Sequence, residues 1–537
     1  MSRTSRRKRS VTRPRRLPSA EPQPRRWTWT EYLSPNRYAL LAVLVGVAAY
    51  RLAVLADEPA PPGADPGNWL AFTHELFGTP VKAAKATYFP VLLVCLKSLL
   101  AFLPALMALK VVGVGTSVLV GVPFYLILRR ALSPILCASL TLAFLLAGYQ
   151  AELLTVGTYA QLLASTFFLF TVYWLMDGLV SGRRRPLLLA AASTALVAGT
   201  HHFTLVIMAP TLLVLAAVLF VQDRPEPRAF LRNAGVWALG TAVFTLPFLP
   251  WYIRFLTLME GNPANANEFS VWDMGAVTNY VFHENRSFWL AMLVIAAALP
   301  LLPVIGRAGA RIRPAAVALL AGPWLVFVAT GEVRTFQAIE AGIILSLGIP
   351  AAAIERHISQ AGLTVSVRQL ERLTLGLALS ALLLVLATSG HQRFVDQRKH
   401  LYQIVDHSAL EALDWLRERT PPDATVLAND SLSNVSYAWW VEGYAQRPTY
   451  SLIAPPFLAF AEEKEQSVLA TRLLEEDTPA SEVEAILEET GIEYVFLDKR
   501  TGGRFKPLLS KTAYTLSLEN EHFAVLHLPR AEVQRTP

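Results

Sequence analysis

Residues 57–97 read DEPAPPGADPGNWLAFTHELFGTPVKAAKATYFPVLLVCLK. The stretch follows a long apolar segment and carries three acidic residues, Asp57, Glu58 and Asp65, within nine positions. Proline and glycine restrict the backbone around Asp65, and NWLAF then has the pattern of a helix that begins with Asp65 near its amino end. The stretch therefore predicts carboxylates at the point where a helical bundle leaves the membrane.

The composition is that of a polytopic membrane protein. The 537 residues are 53% hydrophobic and only 17% charged, whereas a soluble chain has about 25% charged residues. The net charge of +7 comes from Lys and Arg collected in the N-terminal tail and in short loops, which indicates topology and not a nucleic-acid partner. Cys95 and Cys137 both lie in apolar stretches, so we predict neither a disulfide framework nor a cysteine-based metal site.

Apolar segments of about 20 residues, or somewhat fewer where the bilayer is thin, can cross the hydrocarbon layer. Such segments predict about eleven transmembrane helices, at 38–56, 106–128, 133–149, 159–180, 186–200, 203–221, 234–253, 288–305, 315–330, 336–354 and 373–389. Residues 37–389 thus form the predicted transmembrane domain. Residues 1–36, rich in Arg, Ser and Pro, are predicted to be a disordered basic cytoplasmic tail.

The basic residues predict which ends of these spans face the cytoplasm, because cytoplasmic loops carry an excess of Lys and Arg. One side would hold the tail, Arg129, Arg130, Arg183, Arg184, Arg185, Arg224, Arg228, Arg232, Arg307, Arg311, Arg313, Arg356, Arg368 and Arg372. This assignment requires that residues 88–104, with Lys97 in their middle, lie along the surface as an interfacial helix. Residues 57–105 then form one long outer loop, and the carboxyl terminus is extracytoplasmic.

From residue 390 onward charged residues become frequent and apolar runs become short. ALEALDWLRERT and TPASEVEAILEET have helical spacing, whereas ATVLA, EYVFL, YTLSL and FAVLHL are typical of strands. The alternation predicts an extracytoplasmic α/β domain at 390–537.

Several polar residues of the predicted outer layer are candidates for catalysis. Asp65 could accept a proton from an acceptor hydroxyl, while Asp57 and Glu58 either contact substrate or are solvated residues at a membrane boundary. Glu152, on the tip QAELLTVGT, is either a second catalytic acid or part of a solvated loop.

Candidate phosphate ligands occur on other outer turns. Arg334 could bind a phosphate in bidentate fashion or could pair with Glu332. His201 and His202, at a short turn between two spans, could donate a hydrogen bond to phosphate or to a sugar, or could be polar helix-end residues. Lys82 and Lys85 are further candidates. The histidines have no partners at metal-ligand spacing, which argues against zinc, and Mg²⁺ or Mn²⁺ on scattered carboxylates is left open.

The segment SYAWWVEGYAQRPTY is unusually aromatic. Trp439, Trp440 and Tyr444 could stack on a sugar, dock the C-terminal domain on the membrane part, or form core.

Taken in order, these segments resemble the GT-C superfamily of membrane glycosyltransferases, in which an acid of the first outer loop precedes a Tyr-Pro-Pro-like element. Here that element is Tyr88, Phe89 and Pro90. The resemblance extends over most of the chain, through PGADPGNWLAFTHELFG, YFPVLLVCLKSLLAF, ALMALKVVGVGTSVLVGVPFYLILRR, GTHHFT and ALDWLRERTPPDATVLA. WWVEGY is also similar to the WWDYG signature of oligosaccharyltransferases. Val441 replaces its Asp and no Asp-X-Asp motif precedes it, so sequon recognition and a required metal do not carry over.

The resemblance implies a bacterial enzyme akin to the lipid-sugar-dependent mannosyl- and arabinosyltransferases. Such an enzyme would move a sugar, with inversion, from a polyprenyl-phosphate donor to a glycan, lipid or protein acceptor at the outer face of the cytoplasmic membrane. Asp65 would be the base and Glu152 a second acid, and Arg334 with Lys85, His201 or His202 would hold the phosphate. The expected substrate contacts are Asp57, Glu58, Trp69, Tyr88, Trp440 and Glu442.

Two other classes compete with this interpretation. A transporter or flippase usually has repeated halves and charges inside its spans, and this sequence has no detectable repeat and nearly uncharged spans. A lipid-linked glycan ligase or polymerase would be favoured by an Arg-rich outer loop, and the predicted loop at 254–287 has only Arg254 and Arg286.

Overall fold

The computed structural model describes residues 36–78, 89–258, 309–330, 333–360, 403–429, 436–451 and 461–529. The predicted tail, Lys82, Lys85, Tyr88 and Glu332 lie outside the described residues, as do the spans predicted at 288–305 and 373–389.

The membrane part consists of helices connected by short turns. Their bounds are α1 Asn36–Ala56, α2 Asp65–Leu76, α3 Pro90–Leu100, α4 Ala105–Leu119, α5 Gly121–Leu128, α6 Pro134–Leu146, α7 Gly148–Val156, α8 Tyr159–Ser181, α9 Arg184–Ala198, α10 His202–Asp223, α11 Pro227–Thr245, α12 Leu249–Leu258, α13 Arg313–Thr330 and α14 Phe336–Gln360. Single 3₁₀ turns, Leu246–Phe248 and Val333–Thr335, precede α12 and α14.

Seven helices or continuous helix pairs of the described part are long and apolar enough to cross a membrane, which confirms a multi-pass membrane protein. Each of the nine predicted spans that fall in the described ranges overlaps a helix or two consecutive helices. The span predicted at 133–149 differs in shape, because α6 and α7 meet at an angle of 45° and together make an eighth candidate span. As predicted, α3 is a separate short helix of 11 residues. At about 1.5 Å per residue it is too short to cross about 30 Å of hydrocarbon.

The segments predicted to share the outer side meet at one end of the bundle, hereafter the Asp65 end. Trp69 Nε1 donates to the carbonyl of Gly157, after α7, at 2.7 Å. The amide of Val91 donates to the carbonyl of Gly199, after α9, at 3.1 Å. Gln161 Nε2 donates to the carbonyl of Arg334, between α13 and α14, at 3.0 Å.

The opposite end carries the arginines that were predicted to be cytoplasmic. Arg130 pairs with Asp177 at 2.9 Å, and Arg313 Nε donates to Gln222 Oε1 at 3.1 Å. The described basic turns and the Asp65 end therefore lie at opposite ends of the bundle, as the charge pattern requires.

Arg51 is a buried charge inside α1. Its guanidinium donates to the carbonyl of Ser117 near the end of α4, at 3.0 Å, and to that of Leu145 next to the break between α6 and α7. Carbonyls at helix ends lack intrahelical partners and carry partial negative charge. Arg51 therefore stabilises the bend that directs α7 toward the Asp65 end.

The C-terminal part is an α/β unit. Its five-stranded sheet has the order β2-β1-β3-β5-β4, in which β2, β1 and β3 are parallel and β5 is antiparallel to both of its neighbours. The elements are α15 His407–Arg419, β1 Thr425–Ala428, α16 Ala438–Trp440, β2 Thr449–Ser451, α17 Ala461–Arg472, α18 Ala480–Thr490, β3 Ile492–Asp498, α19 Lys506–Lys511, β4 Thr515–Glu519 and β5 Phe523–His527. The predicted helices and strands of this region are all confirmed.

Candidate functional site

Asp65 is the first residue of α2, as its proline-rich surroundings predict. The turn between α7 and α8 packs directly against it. Gly157 adopts a positive φ of 91°, and a Cβ there would collide with the Pro66 ring and lie 3.3 Å from Asp65 Cβ. Gly63, with a φ of 96°, likewise leaves no room for a side chain beside the carbonyl of Val156. These glycines let the loop and the bundle approach closely enough to fix Asp65.

The C-terminal unit holds α2 from its other side. A π-helical turn, Val441–Ala445, follows α16, and we call Ala438–Ala445 the WWVEGY segment. Trp440 is fully buried, and its Nε1 donates to the carbonyl of Gly63 at 3.0 Å. Gly67 and Gly443 both lie where α2 and this segment touch backbone to backbone. The position of Asp65 therefore depends on contacts from both parts of the chain.

The positive charge of Arg334 acts on the Asp65 carboxyl. Burial raises the pKa of Asp65 to about 6, and the positive charge of Arg334 opposes that rise. Desolvation is the larger influence, because it penalises the ionised carboxylate before any partner is counted. Asp65 thus changes protonation near neutral pH, where a general base is most useful.

The histidine turn lies within the electrostatic reach of the same arginine. His201 is buried, and its Nδ1 accepts from the amide of Thr204 at 3.2 Å. Burial, with smaller contributions from His202 and Arg334, holds the pKa of His201 well below its usual range. A neutral ring that accepts at Nδ1 carries its proton on Nε2. The His202 ring lies 5.4 Å from that of His201 and 6.0 Å from that of Phe89.

The structure thus brings four of the predicted site residues near one another. Arg334 acts electrostatically on Asp65, His201 and His202. Glu152 is partly buried on α7, the helix that leads into Gly157. Its role as a second acid stays a prediction. Lys85 and Tyr88 belong to the segment outside the described residues.

The acids that precede Asp65 lie at the end of α1. Asp57 is exposed. The backbone carbonyl of Glu58 accepts from Lys110 Nζ at 2.6 Å, which ties the start of the loop to α4. Substrate contact by either carboxylate stays a prediction.

Three residues predicted to touch substrate lie in the packed interior. Trp69 and Trp440 donate to the backbone on either side of Asp65, and Glu442 Oε1 accepts from Thr449 Oγ1 at 2.8 Å. All three are buried. The two tryptophans thus hold the backbone around Asp65, and Glu442 holds Thr449. Substrate contact by these three residues stays a prediction.

Tyr159 is a residue of this site that the sequence reasoning missed. It is the first residue of α8, and its phenol interacts electrostatically with the Asp65 carboxylate. Its hydroxyl is buried and has no hydrogen-bond partner among the residues that the structure describes. The ring packs on Gly113, where a Cβ would lie 2.6 Å from Tyr159 Cζ. A hydroxyl-bearing ring directly after the Gly157 turn is the signal that could have identified it.

A divalent metal ion at Asp65 would need several ligands. Within the described ranges no three His, Cys, Asp or Glu side chains are close enough to share one. The use of Mg²⁺ or Mn²⁺ therefore stays open, and we derive no step through either ion.

Comparison with known proteins reveals likeness in structure only. No protein-family model matches this sequence, and no curated protein matches it. Among solved structures, ArnT from Cupriavidus metallidurans bound to undecaprenyl phosphate superposes with a TM-score of 0.52 at 15% identity, over 91% of this chain and 97% of that one.

Two other structures show the same likeness. An oligosaccharyltransferase from Archaeoglobus fulgidus, tethered to an acceptor peptide, has a TM-score of 0.54 at 14% identity, covering 92% of this chain and 74% of its own. The mycobacterial arabinofuranosyltransferase AftD has a TM-score of 0.51 at 18% identity, and the match spans 90% of this chain and 41% of AftD. The chain therefore shares the fold of these three solved structures, which is the kind of fold that the sequence resemblance implied.

The contact between Gly443 and Gly67 yields a stability prediction. We expect Gly443→Ala to lower the free energy of unfolding by about 1–3 kcal/mol. The added methyl group would collide with the Gly67 carbonyl, and relief of the clash would require a shift of one backbone. Thermal unfolding in detergent, followed by intrinsic fluorescence, measures the change.

Gly235→Ala is the matched control. Gly235 lies within α11 with open space around its Cα. Alanine is favoured over glycine in a helix by about 1 kcal/mol. The control should be neutral or stabilising, and an equal melting temperature for the two variants would contradict the close-contact interpretation.

Proposed function

We propose that this protein is a glycosyltransferase that moves a sugar from a polyprenyl-phosphate donor to a hydroxyl of a glycan, lipid or protein acceptor. The reaction would take place at the outer face of the bacterial cytoplasmic membrane, where the charge pattern puts the Asp65 end. The observation that carries the proposal is the partly buried Asp65 carboxyl, which the charge of Arg334 influences, at one end of a bundle with the fold of these glycosyltransferases.

Asp65 is the proposed general base. Its carboxylate takes the proton of the acceptor hydroxyl while the acceptor oxygen bonds to the anomeric carbon of the sugar. The bond from that carbon to the phosphate oxygen breaks with its electron pair, and polyprenyl phosphate leaves. Attack opposite the leaving group inverts the anomeric configuration. A pKa of about 6 leaves Asp65 mostly ionised at neutral pH, yet basic enough to assist this transfer.

Arg334 is the proposed phosphate ligand. Negative charge grows on the phosphate as the glycosidic bond breaks, and a fixed cation stabilises that charge in the transition state. The Arg334 side chain is exposed at the Asp65 end, so a lipid phosphate at the membrane surface can reach it. His201, neutral and protonated on Nε2, can add an uncharged donor to the same phosphate, together with His202. Lys85 remains a further candidate.

The pKa of Asp65 predicts the pH dependence of transfer. The base must be ionised, so kcat/KM should rise with pH through about 6 and level off above it. The assay uses the full chain in nanodiscs with polyprenyl-phosphate mannose or polyprenyl-phosphate arabinose and a panel of acceptors. Asp65→Asn should lose at least about 100-fold in kcat/KM together with this acid limb, and unimpaired transfer by that variant would remove Asp65 as the base.

Substitution of Arg334 tests its link to Asp65. Arg334→Gln removes the charge that favours the ionised carboxylate, so the acid limb should move to higher pH. The maximal rate should also fall, by about 10²–10³-fold.

Lys97→Gln is the control for that experiment. Lys97 lies on α3 at the same end and acts on His74 rather than on Asp65. Its removal should leave the acid limb in place. An unmoved limb in Arg334→Gln, or equal shifts in the two variants, would contradict a specific interaction between Arg334 and Asp65.

A further inference from the structure

A group of uncharged polar side chains lies inside the bundle next to the proposed site. Gln150, Gln161, Ser165 and Gln337 come from α7, α8 and α14, and their exposed fractions are 0%, 1%, 8% and 3%. We call these four residues the amide cluster. Polar groups at such depth in a membrane protein are unfavourable unless they are paired or have a ligand.

Hydrogen bonds connect three of the four side chains, those of Ser165, Gln337 and Gln150, and reach the backbone of Gln161. Ser165 Oγ donates to Gln337 Oε1 at 2.7 Å, and Gln337 Nε2 donates to Gln150 Oε1 at 3.4 Å. Ser165 Oγ also lies 2.8 Å from the carbonyl of Gln161, one turn earlier on α8. Three helices therefore contribute polar side chains to one buried region, with Gln161 joined to it through its backbone.

Two atoms of the amide cluster are left without a partner among the described residues. They are Gln150 Nε2, a donor, and Gln161 Oε1, an acceptor, and both are buried. A buried polar atom without a hydrogen-bond partner costs free energy, so each of these two atoms calls for a specific explanation. A hydroxyl group both donates and accepts, so hydroxyl groups of a ligand can satisfy the two atoms.

The cluster adjoins the proposed phosphate ligand. Gln161 Nε2 donates to the backbone carbonyl of Arg334 at 3.0 Å. Gln161 and Gln337 lie within the first three residues of helices that begin at the Asp65 end, and Gln150, near the start of α7, reaches Gln337. A ligand whose phosphate is held by the Arg334 side chain would thus have uncharged hydrogen-bonding groups beside it.

We propose that the amide cluster binds hydroxyl groups of the sugar ring carried by the lipid-phosphate donor. This inference rests on the proposed function. Side-chain amides offer donors and acceptors without charge, which suits a neutral polyhydroxylated ring better than a phosphate. Of the two sugars that such a reaction brings together, the donor sugar is the one attached to the phosphate that Arg334 is proposed to hold.

The test compares two sugar lipids with the same lipid phosphate lacking a sugar. Binding of polyprenyl-phosphate mannose, polyprenyl-phosphate arabinose and bare polyprenyl phosphate to the full chain in nanodiscs is measured by intrinsic fluorescence. In Gln150→Leu and Gln161→Leu, which keep similar volumes, we expect affinity for the preferred sugar lipid to fall about 10-fold per lost hydrogen bond. Affinity for the bare lipid phosphate should not change in Gln150→Leu, whereas Gln161→Leu also removes the hydrogen bond to the Arg334 carbonyl and can weaken both ligands.

A matched control tests whether the loss of an unpaired buried polar atom elsewhere in the bundle also changes ligand affinity. Thr141 on α6 is fully buried, and its Oγ1 also has no partner among the described residues. Thr141 is outside the amide cluster. Thr141→Val should therefore leave both affinities unchanged. Melting temperatures of all three variants check that each is folded.

A donor that lacks one hydroxyl provides the second measurement. If the cluster binds that hydroxyl, the deoxy donor and Gln150→Leu should each weaken binding, and the combination should be no worse than either alone. This non-additivity would not arise from a merely structural role.

The outcomes distinguish this inference from the proposed function. Unchanged sugar-lipid affinity in both variants, while the wild type transfers sugar in an Asp65-dependent manner, would overturn the inference and leave the function standing. A rise in the KM of the acceptor alone would overturn the assignment to the donor sugar. A wild type that neither binds the sugar lipids nor transfers sugar would overturn both.

Discussion

The close approach of three backbones at Gly63, Gly157 and Gly443 is the constraint on which the site depends. The first two let the outer loop lie against the α7–α8 turn, and the third lets the WWVEGY segment lie against α2. The two tryptophan donors, Trp69 and Trp440, then join loop, bundle and C-terminal unit through backbone carbonyls. Asp65 owes its fixed position to these contacts, and none of them uses its carboxylate.

Fixing a carboxylate in this way has an electrostatic consequence. The same packing that orders Asp65 removes water from it, which raises its pKa, and Arg334 limits that rise. Burial also keeps His201 neutral beside this arginine. The Asp65 end therefore brings together a carboxyl near its titration point, the Arg334 cation and uncharged donors. Proton transfer from a hydroxyl and stabilisation of a leaving phosphate require groups of these kinds.

Local patterns in the sequence predicted the described helices and strands, and they predicted the position of Asp65. Hydropathy located the described spans, proline and glycine placed Asp65 at a helix start, and the basic turns separated the two ends. Local sequence patterns could not predict contacts between segments that are far apart in the chain. Nothing local indicates that Trp440 donates to Gly63, that Arg51 stabilises a bend between α6 and α7, or that Tyr159 lies beside Asp65. Each depends on three-dimensional packing between residues far apart in sequence.

The break between α6 and α7 connects these observations. If α6 continued straight, its carbonyls would be paired within the helix. The 45° bend leaves the Leu145 carbonyl to Arg51 and redirects α7. That redirected helix carries Gln150 to α14, carries Glu152, and ends at Gly157 against Asp65. A buried arginine in the first helix thus binds the carbonyl at the bend from which α7 carries Gln150 and Glu152 and reaches Asp65. The spans themselves are nearly uncharged, so the bundle concentrates its few polar groups where a lipid-linked sugar would be held.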